Sequence, residues 1–254
     1  MTPASPIGRF YPDEGPVQTP ADIAVVMPTV IRSEIAAAIQ SVYDQRFAGR
    51  IQLAIGIDVA LGDPGLLEAV LRRRSPSVSA LVLQLPYSTS VRHGGAHTPA
   101  DGGSLRAVLS LMANARYVAF LDDDNSWLPQ HLTGLHAAAA GKTYAFAPRM
   151  LLDDETGRDL CVDRWHSTGP GRGQFAEIGG FVDPNCLLVD KALAAQKLSQ
   201  WAQTWTGKPN RYGSDKRFFA SIAAAPHGEV SEPTVRYSIR RDNVLYRLAT
   251  EPGG

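Results

Sequence analysis

The sequence predicts an α/β fold: an open, mostly parallel, Rossmann-type sheet flanked by helices. Between residues 21 and 147, apolar runs of strand length alternate five times with segments of helical periodicity. Proline and glycine stand at the boundaries of these segments, as at Pro64, Pro129 and Gly141. The chain of 254 residues is 44% hydrophobic and 20% charged, which is ordinary for a globular domain with a full core.

The predicted elements follow in chain order. Strands are expected at 24–27, 51–57, 80–85, 117–121 and 143–147. Helices are expected at 33–46, 63–74, 104–114 and 129–141. Ser33 is predicted to cap the first helix, and Asp63 followed by Pro64 to open the second.

The two ends of the chain are less regular. Residues 1–20 contain five prolines and predict an extended tail or a strap over the domain. The region 21–148 is expected to form one half of a domain, and 149–254 the other half. In that second half we predict a mobile, glycine-rich loop at 157–180, a strand at 181–189 and a helix at 214–225 capped by Ser214.

Acidic residues follow two of the predicted strands. Asp58 ends one strand, and Asp122, Asp123 and Asp124 end another, at the edge where open α/β sheets bind ligands. Strand geometry would place Asp122 and Asp124 on one side, where two carboxylates can hold a divalent cation. The alternative is a solvated turn before a helix, because Asn125 and the residues after it are good turn formers.

Six motifs along the chain resemble the family 2 glycosyltransferases of GT-A fold. They are VVMPTVIR (25–32), SVYDQ (41–45), IGIDVALGD (55–63), GGSLRAV (102–108), FLDDDNSWLPQHL (120–132) and Gly213-Ser214-Asp215. The chain departs from the family pattern at four positions: no acid precedes Asp58, Ala107 replaces an asparagine, Asn125 replaces the last acid of its motif, and Ser214 replaces a glutamate. The resemblance is dense over 23–132 and sparse afterwards.

The resemblance implies an inverting, metal-dependent transfer of a sugar from a UDP-, GDP- or dTDP-linked donor to a saccharide or other hydroxyl acceptor. It implies a GT-A-like sheet with an acceptor-binding C-terminal half. By this resemblance Asp215 is the catalytic base, and Asp124 with Asp122 ligates Mn²⁺ or Mg²⁺. The nucleotide-sugar would be bound by Pro28, Thr29, Asp58, Arg106, Asp122 and Asp123, with Arg240, Arg241 and Trp165 as candidate diphosphate or acceptor contacts. Residues 166–174 would close over the donor as a lid.

Each assignment has a structural alternative. Asp58 could be a turn residue, Arg106 a solvated helix residue, and Asp215 an acid that favours the helix dipole. The arginine pair near the C-terminus could be solvated, and Trp165 could pack in the core. For the whole protein, the alternative is a non-catalytic nucleotide-sugar-binding protein that kept the fold.

Other classes are disfavoured by what the sequence lacks. The net charge of 0 does not favour a nucleic-acid-binding protein. No apolar run reaches 18 residues and no signal-peptide pattern is present, so a cytoplasmic protein is expected. Cys161 and Cys186 are too few for a disulfide framework. The signatures of sugar nucleotidyltransferases and of aspartyl-nucleophile phosphatases do not follow the first strand.

Overall fold

The computed structural model describes residues 7–204 and 213–251. Its strands are β1 Ile7–Tyr11, β2 Ala21–Thr29, β3 Ile51–Ile57, β4 Val78–Gln84, β5 Ala115–Phe120, β6 Ser126–Trp127, β7 Tyr144–Phe146, β8 Arg149–Asp153, β9 Asp159–Val162, β10 Gly169–Pro170, β11 Gly180–Phe181, β12 Leu187–Asp190, β13 His227–Glu229 and β14 Val235–Ile239. Its α-helices are α1 Ile35–Tyr43, α2 Pro64–Leu71, α3 Gly103–Met112, α4 His131–Ala138, α5 Ser214–Ile222 and α6 Val244–Thr250. Short 3₁₀ helices occupy Val91–His93, Gly173–Ile178, Pro184–Cys186 and Ala195–Ala202. None of the helices in these two ranges is long and apolar enough to cross a membrane.

The main sheet has eight strands in the order β1-β4-β3-β2-β5-β12-β7-β13. Strands β4, β3, β2 and β5 run parallel to one another, and β12 is antiparallel to both β5 and β7. Every residue of β3 is buried, as expected of a parallel strand covered on both faces. The predicted open, mostly parallel α/β sheet is therefore confirmed.

A smaller sheet, in the order β6-β14-β8-β9, lies beyond the end of β5. Strands β14 and β8 run parallel, from Val235 beside Arg149 to Ile239 beside Asp153. The backbone N–H of Ser238 donates to the side chain of Asn125, 3.0 Å away. This bond fixes the acidic segment after β5 against the second sheet.

The N-terminal segment differs from the predicted tail. Residues 7–11 form an edge strand, β1, which pairs antiparallel with β4. Pairing covers the backbone groups that β4 would otherwise leave open at the edge of the sheet. Residues 12–20 then cross to the start of β2, and Asp13 in this stretch forms an ion pair with Arg50, with 2.8 Å between nitrogen and oxygen.

The prediction of a mobile loop at 157–180 is wrong, because this stretch contains secondary structure. It holds β9, β10, a 3₁₀ helix and the start of β11, and Asp163 accepts hydrogen bonds from three successive backbone N–H groups, at 165 to 167. All six of its glycines, at 157, 169, 171, 173, 179 and 180, have positive φ, which glycine adopts without steric cost. The glycines therefore serve tight turns.

Two predicted helix caps also differ. Glu34, not Ser33, occupies the N-cap of α1, and it forms no side-chain cap. Gly213 occupies the N-cap of α5, and the hydroxyl of Ser214 donates to Asp101 instead. The predicted cap of α2 is confirmed, because Asp63 accepts from the backbone N–H of Gly65 at 2.8 Å.

Helices α3 and α5 begin in close contact with each other. A Cβ on Gly103 would stand under 3.0 Å from the hydroxyl of Ser214 and from the backbone carbonyl of Trp201. The backbone oxygen cannot turn away as a side chain could. Glycine is thus required here by close approach, and this contact sets the distance between the two helix starts.

We expect Gly103→Ala to lower the free energy of unfolding by about 1–3 kcal/mol, because the added methyl group overpacks this contact. The measurement is urea denaturation followed by circular dichroism. The matched control is Gly134→Ala in α4, where a Cβ would meet only methyl groups of Val230 at 3.6 and 3.7 Å. That change should stabilise the protein by about 0.4–1 kcal/mol. Equal effects of the two substitutions would contradict the close-approach argument.

Candidate functional site

A cavity of about 240 Å³ opens at the carboxyl edge of the parallel strands. It is lined by residues from the ends of β2, β3 and β5, from the starts of α3 and α5, and from β14. Eight of the predicted site residues lie in its wall: Pro28, Thr29, Asp58, Arg106, Asp122, Asp123, Asp124 and Asp215. The structure thus brings together residues that are separated by up to 187 positions in the sequence, from Pro28 to Asp215.

Asp122 is held from two sides. The buried guanidinium of Arg106 donates to its Oδ1, and the amide of Asn185 donates to its Oδ2 at 2.9 Å. The backbone N–H of Asp122 donates in return to the side-chain amide oxygen of Asn185 at 2.7 Å. The carboxylate therefore has a fixed orientation, and its charge is largely balanced by Arg106.

Strand β5 ends at Phe120, so Asp123 and Asp124 lie in a turn after it, and the strand alternation predicted for the acids does not hold. Asp123 is the most enclosed of the three acids. It is fully buried, and it accepts from the hydroxyl of Thr29 and from the backbone and side chain of Arg32. Thr29 Oγ1 accepts in turn from the backbone N–H of Ile31 at 2.7 Å, and Ile31 has a φ of 63°. Thr29 and Asp123 thus hold the turn between β2 and α1. Both residues also line the cavity, so the nucleotide-sugar contacts expected of them stay predictions.

Asp124 is the most open of the three acids, with 39% of its side chain exposed. Burial of the rest, together with the neighbouring carboxylates of Asp122 and Asp123, raises its pKa to about 6. Arg32 acts in the opposite direction from 3.6 Å. Asn125, which stands where the family pattern has a further acid, donates to Asp124 at 3.2 Å.

The donor set fits a hard divalent cation held in part by a substrate. Within the two described ranges, no group of three or more His, Cys, Asp or Glu side chains could hold a metal ion alone. Mg²⁺ is usually bound through one or two carboxylates and the oxygens of substrate phosphates, and it keeps several waters. The pair Asp122 and Asp124 matches that kind of site, with Asp124 offering the freer oxygens.

Asp58 lies at the opposite end of the cavity wall. Its Oδ1 accepts from the hydroxyl of Ser88 at 2.6 Å, and its Oδ2 lies 2.8 Å from Nδ1 of His93. Arg92 lines the cavity beside them. Sequence reasoning missed Ser88, His93 and Arg92, because they belong to an irregular connection between β4 and α3.

Asp215 stands in the first turn of α5 with 23% of its side chain exposed. Its Oδ2 pairs with Nζ of Lys216 at 3.2 Å, and its Oδ1 accepts from the backbone N–H of Lys216 at 2.7 Å. Burial raises the pKa of the Asp215 carboxyl above its ordinary value, and the lysine opposes this rise. A carboxylate with a raised pKa is a better proton acceptor near neutral pH.

A buried ionic network supports the site from below. Arg149 is 2% exposed and forms ion pairs with Asp163 and Asp183, while Asp183 accepts from the amide of Asn185 at 2.7 Å. Asn185 thereby links the network to Asp122. These residues are single and widely spaced, so no local pattern identifies them as a network. Asp183 followed by Pro184, a pair typical of a helix start, is the one local signal.

Three predicted contacts lie outside the cavity wall. Arg241 pairs with Glu155 at 3.0 Å, and Arg240 is exposed. Trp165 packs against the small apolar cluster that includes Leu151 and Ile239. Residues 166–174 contribute nothing to the cavity wall either, so the structure gives the predicted lid and these three contacts no support.

No protein-family model matches the sequence, and no curated protein is significantly similar to it. Solved structures share its fold. Residues 1–349 of TarS from S. aureus superpose with a TM-score of 0.61 at 15% identity, covering 85% of this chain and 60% of that one. The same TarS segment in complex with UDP-GlcNAc gives a TM-score of 0.60 at 14% identity, covering 89% and 60%.

A mannosyltransferase, PcManGT from Pyrobaculum calidifontis, in complex with GDP-Man and Mn²⁺, gives a TM-score of 0.57 at 12% identity. It is matched over 93% of this chain and 61% of its own. At such identities the likeness establishes the fold, and the predicted GT-A-like architecture is confirmed. The chain spans about 60% of the length of these structures.

We expect Asn185→Ala to lower the free energy of unfolding by about 1–3 kcal/mol, because Asp122 and Asp183 each lose a buried hydrogen bond. Asn185→Asp keeps the size but sets a third carboxylate between those two. Its pKa will be raised, so its cost should grow as pH rises and shrink in acid. Urea denaturation of both variants at pH 5 and pH 8 measures this. A pH-independent difference between them would contradict the proposed link.

Proposed function

We propose that this chain is an inverting, metal-dependent glycosyltransferase, which moves a sugar from a nucleotide-sugar to an acceptor hydroxyl. One observation carries the proposal: four separate segments of the chain bring polar side chains to one cavity at the carboxyl edge of the sheet. These side chains are Asp58, Arg106, the pair Asp122 and Asp124, and Asp215. The structural neighbours support it, since TarS is seen with UDP-GlcNAc and PcManGT with GDP-Man and Mn²⁺.

The donor would lie along the wall from Asp58 to Asp124. Asp58, held by Ser88 and His93, would accept a hydrogen bond from the ribose or base of the nucleotide. Asp122 and Asp124 would hold Mn²⁺ or Mg²⁺ next to the diphosphate. When bound, the ion supplies positive charge that stabilises the departing nucleoside diphosphate. The ion pair with Arg106 would hold Asp122 in place for that task.

Asp215 would take the proton of the acceptor hydroxyl. The acceptor oxygen attacks the anomeric carbon as the bond to the diphosphate breaks, and the proton passes to Asp215. A single in-line displacement of this kind inverts the anomeric centre. Burial, which raises the pKa of Asp215, favours proton transfer to it in the transition state.

The alternative is a nucleotide-sugar-binding protein without catalysis. The chain has Ala107 and Ser214 at positions where the family pattern has an asparagine and a glutamate. Both readings predict nucleotide binding, but only the enzyme releases nucleoside diphosphate. Incubation with UDP-, GDP- and dTDP-sugars and Mn²⁺, with hydroxyl acceptors, separates them by the nucleoside diphosphate that is formed.

We expect UDP or GDP to bind at least about tenfold more tightly with Mn²⁺ than with chelator, a difference of about 1.4 kcal/mol. The reason is that Asp122 and Asp124 repel the diphosphate unless a cation lies between them. Calorimetry of the wild type and of Asp124→Asn measures this, and the variant should lose most of the metal dependence. Asp154→Asn, at an exposed aspartate of the β8–β9 turn, is the control. Equal affinity with and without metal in the wild type would refute the metal role.

We expect Asp215→Asn to reduce transfer by at least about 100-fold while leaving nucleoside diphosphate affinity near that of the wild type. The asparagine keeps the size of the side chain but cannot accept the proton. Because burial raises the pKa of Asp215 in the folded state, its ionised form costs folding free energy at neutral pH. The Tm of the variant at neutral pH should therefore be no lower than that of the wild type.

The measurements are calorimetry, thermal unfolding and release of nucleoside diphosphate, with Asp154→Asn again as control. A variant that turns over at nearly the normal rate would leave Asp215 as a helix-start acid. A variant that loses nucleotide binding would assign Asp215 to the donor instead.

A further inference from the structure

Asp101 is an acid of the cavity wall that no motif singles out. It lies just before α3, and its carboxylate reaches across to the start of α5. Its Oδ1 accepts from the backbone N–H of Gly103 at 3.2 Å and from the hydroxyl of Ser214 at 2.8 Å. Its Oδ2 accepts from the backbone N–H of Ser214, also at 2.8 Å. One carboxylate thus satisfies helix-start donors of both α3 and α5.

The same carboxylate is a close neighbour of Asp215. A Cβ on Gly213 would stand 2.5 Å from Oδ2 of Asp101 and 2.9 Å from Oδ1 of Asp215, so the two acids flank one point. The side chain of Asp101 forms no ion pair within the described residues, since Arg106 donates to its backbone carbonyl. The Arg106 guanidinium, which is paired with Asp122, interacts electrostatically with both Asp101 and Asp215.

We propose that Asp101 is a positioning residue for the base: it fixes the start of α5 through Ser214 and, by its charge, makes Asp215 a stronger proton acceptor. This inference rests on the proposed function of Asp215. The charged groups that face Asp215 are Lys216 on its own helix, Asp101 before α3, Asp183 before the 3₁₀ helix at 184–186, and Arg106 on α3. Asp101 and Asp183 raise the pKa of Asp215, and Lys216 lowers it.

A purely structural cap would behave differently. Such a cap contributes to stability through its hydrogen bonds alone, whereas the proposed role also depends on the negative charge. Asp101→Asn removes the charge and keeps one acceptor oxygen, while Asp101→Ala removes both. Asp63→Asn is the matched control, because Asp63 caps α2 with the same kind of bond and lies outside the cavity wall.

The first experiment is the pH dependence of the transfer rate. Activity falls in acid as the base becomes protonated, so a lower pKa of Asp215 moves this acid limb to lower pH. For Asp101→Asn we expect a shift of at least about 0.5 pH unit, from the Coulomb energy lost between two nearby carboxylates. The KM for the nucleotide-sugar should stay unchanged. Asp63→Asn should lower Tm and leave the limb in place. An acid limb of Asp101→Asn that coincides with the wild type would overturn the proposal.

The second experiment does not need turnover. A ¹³C-carboxyl NMR titration follows Asp215 directly in the wild type and in Asp101→Asn, with Asp215→Asn identifying the signal. We expect the titration midpoint to fall in the Asp101 variant. An unchanged midpoint would overturn the inference even in an active enzyme. If the midpoint of Asp215 falls in the Asp101 variant but the protein releases no nucleoside diphosphate, the charge coupling between Asp101 and Asp215 is upheld. Only the proposed function is then refuted.

Discussion

The burial of the Arg149 guanidinium is the constraint on which the site depends. A charge that is 2% exposed must be matched by partners, and Asp163 and Asp183 provide them. The ring of Tyr237 covers one face of the guanidinium at 3.8 Å. Removing one member of such a buried set typically costs about 3–5 kcal/mol, because the remaining charges stay buried without a partner.

The partners of Arg149 then organise the surrounding backbone. Asp163 accepts hydrogen bonds from the backbone N–H groups at 165 to 167. These bonds fix the backbone conformation at the start of the glycine-rich stretch. Asp183 accepts from the backbone and side chain of Asn185, whose carbonyl accepts from the indole N–H of Trp127 at 2.8 Å. His131 stacks on Trp127 with ring centroids 4.5 Å apart. The buried ion pairs of Arg149 thus fix the orientation of the Asp122 side chain through the hydrogen bonds of Asp183 and Asn185.

The sequence predicts the part of the fold that local patterns encode. Continuous apolar runs mark β2 and β3. The alternation expected of Asp122, Asp123 and Asp124 does not hold, because β5 ends at Phe120 and a turn follows it. Long-range partners leave no local pattern. Asp101 and Asn185 are single polar residues whose roles depend on segments 113 and 63 positions away, so no spacing rule could find them. Glycines that need positive φ in tight turns look, in sequence, like those of a flexible loop.

The turn between β2 and α1 has a strained backbone conformation that contacts with the acidic segment stabilise. Ile31 adopts a left-handed conformation that is unfavourable for a β-branched residue. The strain is offset by burial of its side chain and by the bonds from Thr29 and Asp123 around it. Gly62 passes so close that a Cβ there would stand under 3.0 Å from the carbonyl of Ile31. Asp123 therefore both lines this wall of the cavity and fixes the turn beside it.

Strand β12, from the second half of the chain, pairs with β5 and β7 of the first half, so both halves contribute to one sheet. Strand β5 ends the parallel part of the sheet, and its outer edge is closed only by residues 187–190, which come after the whole segment from 121 to 186. A fragment that stopped near residue 148 would carry a bare row of N–H and C=O groups along β5, which is a template for pairing with other chains. The stretch that contains Asn185 also arrives with β12. Completion of the sheet and placement of Asn185 beside Asp122 therefore depend on the same segment of the second half.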